Sequence, residues 1–68
     1  MKATLQVLDF GAPDRQVTQQ INLVYATDLE LLPVAQDLVE SVLKAAVEQM
    51  IKDLGLEFPV IIPLYWED

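Results

Sequence analysis

The sequence predicts a small α+β domain of order β-β-α-β, with one long helix packed on one face of a three-stranded, mainly antiparallel sheet. Three observations carry this expectation. Residues 2–7 and 15–25 alternate in polarity with the period of two that a half-buried strand requires, apolar pairs recur every fourth residue between Pro33 and Leu54, and residues 56–66 alternate again.

In the first strand Ala3, Leu5 and Val7 alternate with Lys2, Thr4 and Gln6, so the odd positions face a core. Leu8 and Phe10 place apolar groups on the opposite face at the far end of the strand. Gly11-Ala12-Pro13-Asp14 then reads as a turn, because Pro13 pre-sets φ for a type I turn and Gly11 tolerates positive φ. The second strand sets Val17, Ile21, Leu23 and Tyr25 against Gln16, Thr18, Gln20 and Asn22, with Gln19 the one misfit. Strands one and two form a hairpin whose outer face carries Thr, Gln and Asn, residues that tolerate water on an antiparallel sheet.

Thr27 and Glu30 have the spacing of a capping box, but Pro33 belongs in the first turn of a helix. A short lead-in turn at Asp28 to Leu31 followed by a helix from Pro33 accommodates both. The pairs Val34/Ala35, Leu38/Val39, Val42/Leu43, Ala46/Val47 and Met50/Ile51 make that helix amphipathic. Glu40, Lys44, Glu48 and Lys52 form an exposed ladder of alternating sign four residues apart, a structural feature worth a few tenths of a kcal/mol per pair. Gly55 stands where a left-handed residue ends a helix, with Leu56 placed to fold back on Ile51.

In the last segment Leu56, Phe58, Val60, Ile62, Leu64 and Trp66 share one parity, while Pro59, Ile61, Pro63 and Tyr65 share the other. Prolines of one parity can both turn their nitrogens away from the sheet, which makes this an edge strand. The rival reading is a polyproline-type docking tail, although the spacing is not PxxP. The last strand can lie antiparallel beside the first or parallel beside the second. Order 2-1-3 is preferred.

A chain of 68 residues makes one domain, 1–68, and buries only about 60% of the surface its unfolded form exposes. Chains this short are usually reinforced by disulfides, metals or oligomerisation. Cysteine and histidine are absent, so oligomerisation is the remedy left. Hydrophobic residues reach 53%, above the roughly 45–50% usual for soluble domains. Eleven acidic against four basic residues give a formal charge of −7, which opposes direct binding to nucleic acid or to an anionic membrane. The N-terminus lacks a signal-peptide core and the longest apolar run, Phe58 to Trp66, is far short of the roughly 20 residues that span a bilayer. The reading is a cytoplasmic protein.

Catalysis is not expected. Without His or Cys, and with Ser41 the single serine, Ser-His, Cys-His and zinc-water schemes are closed. The carboxylates are scattered, with no EF-hand spacing and no phosphate-binding glycine loop. No cofactor, metal or small-molecule substrate is expected.

What remains is binding and assembly. Ala35, Leu38, Val39, Val42, Ala46 and Met50 can all look at the sheet, which leaves Leu43, Val47 and Ile51 as a second row on the flank, extended by Leu54. The preferred function is a non-enzymatic protein-binding module, a small homo-oligomer using that flank, with itself or another protein as partner. Leu8, Phe10, Ile61 and Tyr65 would form an apolar patch on the otherwise polar sheet face if the strands pair in order 2-1-3. Trp66 continues the core parity, though aromatic residues also anchor interfaces. The alternative function is a small acidic inhibitor, of the kind with which phages mimic nucleic-acid phosphate, docking on a basic site through Asp28, Glu30, Asp37 and Glu40. The simpler reading of those four is favourable placement near a helix dipole together with solubility.

Overall fold

The computed structural model describes residues 1–11 and 14–68. It comprises β1 (Lys2–Phe10), β2 (Val17–Ala26), α1 (Pro33–Leu54) and β3 (Pro59–Glu67). The three strands form one antiparallel sheet in the order β2-β1-β3, with the helix over one face. Both the α+β class and the preferred strand order are therefore observed.

The odd residues of β1 are the floor of the core, as their alternation with Lys2, Thr4 and Gln6 requires. Ala3, Leu5 and Val7 are buried, and Val47 of α1 closes over them. Ile21, Leu23, Leu43, Ile51, Leu56 and Leu64 pack around this centre. The shape is a slab of 44 × 20 × 14 Å. Its radius of gyration of 13.5 Å exceeds the roughly 11 Å of a compact chain of this length.

The turn expected from Gly11 to Asp14 falls in part on Ala12 and Pro13, which lie outside the described residues. Around it, the Gly11 N–H donates to the Gln16 carbonyl at 2.9 Å and the Arg15 N–H to the Gly11 carbonyl at 2.8 Å. Arg15 adopts a left-handed conformation, φ 56°. β2 carries an extra residue beyond Gln19, since Asp9 pairs with Gln19 and Phe10 with Val17, so Gln19 keeps the parity of Ile21 and Leu23 while Val17 leaves it. This bulge swings Val17 onto the open face of the sheet, away from the helix, and lets the Thr18 hydroxyl donate to the Asp9 carbonyl at 3.2 Å.

The bulge also brings Thr18 against Gly11, where a Cβ would stand 2.7 Å from Thr18 Cγ2. Gly11→Ala should therefore cost about 1–2 kcal/mol by overpacking. Adding Thr18→Ser removes the clashing methyl but keeps the hydroxyl, and urea denaturation should show most of the loss recovered. Equal stability of Gly11→Ala and wild type would contradict this close approach.

Residues 28–32 are not helical: the chain makes a short bend at Asp28 and Leu29 ahead of a helix that starts at Pro33, but the capping box expected of Thr27 and Glu30 does not form. Instead the Thr27 hydroxyl accepts from the Leu29 N–H at 3.1 Å, a local turn that competes with helix formation. Leu32, extended at φ −68° and ψ 157°, is the N-cap, and Pro33 occupies the first turn. Gln36 secures this end, its backbone N–H donating to the Leu32 carbonyl and its side chain to the Leu31 carbonyl, both at 3.0 Å. The C-terminus behaves as anticipated. Gly55 has φ 63°, its N–H donates to the Lys52 carbonyl, and the Leu56 N–H donates to the Ile51 carbonyl. These are the two bonds of a Schellman motif, with Ile51 and Leu56 both packed on the core.

Two expectations about side-chain direction are overturned. The helix is rotated by about 100°, one residue's turn, from the face hydropathy favours. Val47, Leu43 and Ile51 look at the sheet, whereas Leu38 (66% exposed), Val42 (60%) and Val34 (74%) look away. The Schellman turn explains this, because it ties Leu56, where the chain descends toward β3, to the Ile51 side of the helix. Glu40 holds the other half, accepting from Trp66 Nε1 at 3.0 Å. Consequently the ladder from Glu40 to Lys52 forms no ion pair, and among the described residues the salt bridge is the cross-strand Lys2–Glu67 at 3.1 Å. Half-exposed, that pair adds no more than about 1 kcal/mol.

The second correction concerns β3. From Thr4↔Tyr65 to Gln6↔Ile62 the strand β1 advances two residues while β3 advances three. The resulting bulge includes Pro63, a residue that sheets admit at bulges and edges. It splits the expected parity. Leu64 and Trp66 keep to the helix face, but Ile62 and Val60 pair with Gln6 and Leu8 and so lie on the open face, while Ile61 pairs with Val7 on the helix side.

Candidate interaction site

The residues singled out from sequence separate into three places. Of the proposed helix flank, Val47 is 1% exposed and Leu43 and Ile51 pack against it, so this row is internal to the chain and cannot serve as a free interface. The reason is the helix rotation just described. Leu54, at the last turn, stays exposed.

The sheet-face patch survives with one replacement. Leu8 pairs with Val60 and Thr4 with Tyr65 and Val24, which places Leu8, Val60, Tyr65 and Val24 on the uncovered face with Ile62. Phe10 pairs with Val17 on the same face. Ile61 does not belong to it, for the bulge turns it to the helix side.

The acidic patch is divided. Asp28 and Glu30 line a hollow with Met1, Leu29 and Asp68. Glu40 is engaged with Trp66, and Asp37 stands on α1, its carbonyl accepting from the Ser41 hydroxyl at 3.1 Å. Among the described residues no cluster of carboxylates is arranged to hold a metal ion, and no helix is long and apolar enough to cross a membrane.

Sequence reasoning missed two features. One is the outward row Val34, Leu38 and Val42, of which Leu38 and Val42 bound, with Tyr25, Val39 and Leu43, an apolar hollow of about 200 Å³ beside β2. The other is the outer edge of β2. Met1 and Thr27 exchange both backbone bonds, the Thr27 N–H donating at 2.9 Å and the Met1 amino group at 2.7 Å. By the period of two, the odd residues from Gln19 to Tyr25 turn their backbone groups toward β1, and Gln20, Asn22, Val24 and Ala26 turn theirs outward. A sequence signal did exist for this edge, since the twelve residues from Gln16 to Thr27 carry no charge and no proline. The opposite edge is different. Pro59 pairs with Asp9, in the positions whose backbone groups face away from β1, so it removes a donor from the outer edge of β3.

Fold and surfaces together define a class: a two-layer α+β domain with one open sheet edge, one uncovered sheet face and an outward apolar helix row. No protein-family model matches the chain, and comparison with the curated proteins and with the solved structures finds no match.

Proposed function

We propose that the chain is a non-enzymatic assembly module that works as a small homo-oligomer. The observation that carries this reading is its uncovered apolar surface. The accessible area is 4871 Å², against about 4,300 Å² for a self-sufficient monomer of 7.7 kDa. The excess is apolar in character, with Val34, Leu38 and Val42 outward on the helix and Val24, Val60 and Tyr65 on the open sheet face. Among the described residues only Ala3, Leu5, Val7 and Val47 are fully buried apolar residues, a thin core for a chain of this length. Association with a second copy supplies the missing burial, which is how small domains without disulfides or metals commonly reach stability. The absence of His and Cys from the sequence favours binding over catalysis.

Sedimentation equilibrium at micromolar concentration tests this. The expected mass is a multiple of 7.7 kDa that falls on dilution. A single 7.7 kDa species throughout would remove self-association.

A further inference from the structure

We infer that the second copy adds at the outer edge of β2, antiparallel to its counterpart, to make a continuous six-stranded sheet about a twofold axis. This deepens the oligomer reading and rests on it. Four observations point to the same edge.

First, the two sheet edges are unequal. That of β3 lacks the donor of Pro59 and is bent by the bulge at Pro63, both devices that discourage strand addition. That of β2 offers outward backbone groups on Gln20, Asn22, Val24 and Ala26, in a ten-residue strand without charge or proline. Second, strand and flanks are complementary to themselves. Arg15, the one arginine, precedes β2, and Asp28 and Glu30 follow it. An antiparallel pair centred near Asn22 sets Arg15 of each copy level with the end of the other's strand, where Asp28 follows Thr27 before the chain bends back over Met1, so opposite charges flank a neutral strand. Among the described residues Arg15 has no ion-pair partner within its own chain. Such head-to-tail charge fits a second copy specifically, because an unrelated strand has no reason to carry the reversed pattern.

Third, the apolar hollow of Tyr25, Leu38, Val39, Val42 and Leu43 lies on this side of the helix. Outward residues pair only with outward residues, so Gln20, Asn22 and Val24 meet even-numbered partners and both helices fall on the same face of the joined sheet. Their Leu38 and Val42 rows then approach across the axis and close both hollows. Fourth, the area fits. The chain exposes several hundred Å² more than a monomer of its mass, the same order as the roughly 800 Å² that each partner buries in a stable interface.

The test uses sedimentation equilibrium on wild type, Val24→Pro, Arg15→Glu and Arg15→Glu/Asp28→Arg, with circular dichroism to confirm folding. Val24→Pro deletes a donor that β1 does not use, and should yield folded monomer. Arg15→Glu places like charges together and should weaken the dimer at least about tenfold, with Asp28→Arg restoring it. Should Val24→Pro fail to fold, the charge pair, which lies outside the strands, decides alone. Because the chain has no cysteine, Asn22→Cys provides an independent readout: oxidation should give a covalent dimer. An oligomer indifferent to Arg15→Glu, unrescued by the swap and not crosslinked through residue 22, overturns the β2 edge and leaves the oligomer reading standing. A monomeric wild type overturns both.

Discussion

Val47→Glu is expected to unfold the chain outright. Val47 is 1% exposed and closes over Leu5 and Val7, the only helix residue that is fully buried. A carboxylate there has no cation or donor within the core to meet it, and the cost of a stranded buried charge runs to several kcal/mol. A domain of this size holds roughly 3–10 kcal/mol in total. Val47→Ala removes two methyl groups from the same site and should cost about 2 kcal/mol, lowering the melting temperature while keeping the native spectrum. Both are read by circular dichroism at a fixed protein concentration, since association contributes to apparent stability. Val47→Glu with a wild-type melting curve would mean that the helix does not dock through this row. Leu38→Glu provides the contrast, for Leu38 is 66% exposed and its substitution should keep the native spectrum, any fall in melting temperature being that of the association it interrupts.

Asp9→Ala is the second large effect. Asp9 is 5% exposed, and its Oδ1 accepts from the Phe58 N–H at 2.8 Å, just where the chain from the helix joins β3. The next residue, Pro59, has no N–H, so this bond and the one the Phe10 N–H donates to the Phe58 carbonyl at 3.2 Å fix how β3 begins. Truncation leaves the Phe58 N–H without its acceptor and should cost about 1–3 kcal/mol. Asp9→Asn retains a carbonyl oxygen of similar reach and should recover most of that. Chemical denaturation of the three proteins compares them directly. If alanine and asparagine destabilise equally, the carboxylate oxygen is not what anchors the strand.

Asp9 also illustrates what could be read in advance. It occupies an odd position of β1, continuous with Ala3, Leu5 and Val7, so its inward direction follows from the alternation. Its partner does not, because Phe58 lies 49 residues away and meets it only through the antiparallel pairing of β1 with β3. The candidate interaction site divides in the same way. Leu8, Phe10 and Tyr65 were recognisable as misplaced apolar groups on a polar face. Their neighbours Val60 and Ile62 were not, since one extra residue at Pro63 reverses every side chain beyond it.

The sequence by itself determined the elements and their order, and left strand order 2-1-3 as a preference over a parallel placement beside β2 that only the structure settled. Period-two alternation, Pro33 at the start of the helix and Gly55 with Leu56 at its end are local signals, carried within a few residues of one another. Which face each element buries was decided only by tertiary structure. The apolar pairs from Val34/Ala35 to Met50/Ile51 supply two candidate rows about 100° apart, and hydropathy alone cannot choose between them. The choice is made by distant contacts, Leu56 against Ile51 at one end and Trp66 against Glu40 at the other. Those contacts bury Val47 and turn Leu38 and Val42 outward, toward the β2 edge where a second copy would close them.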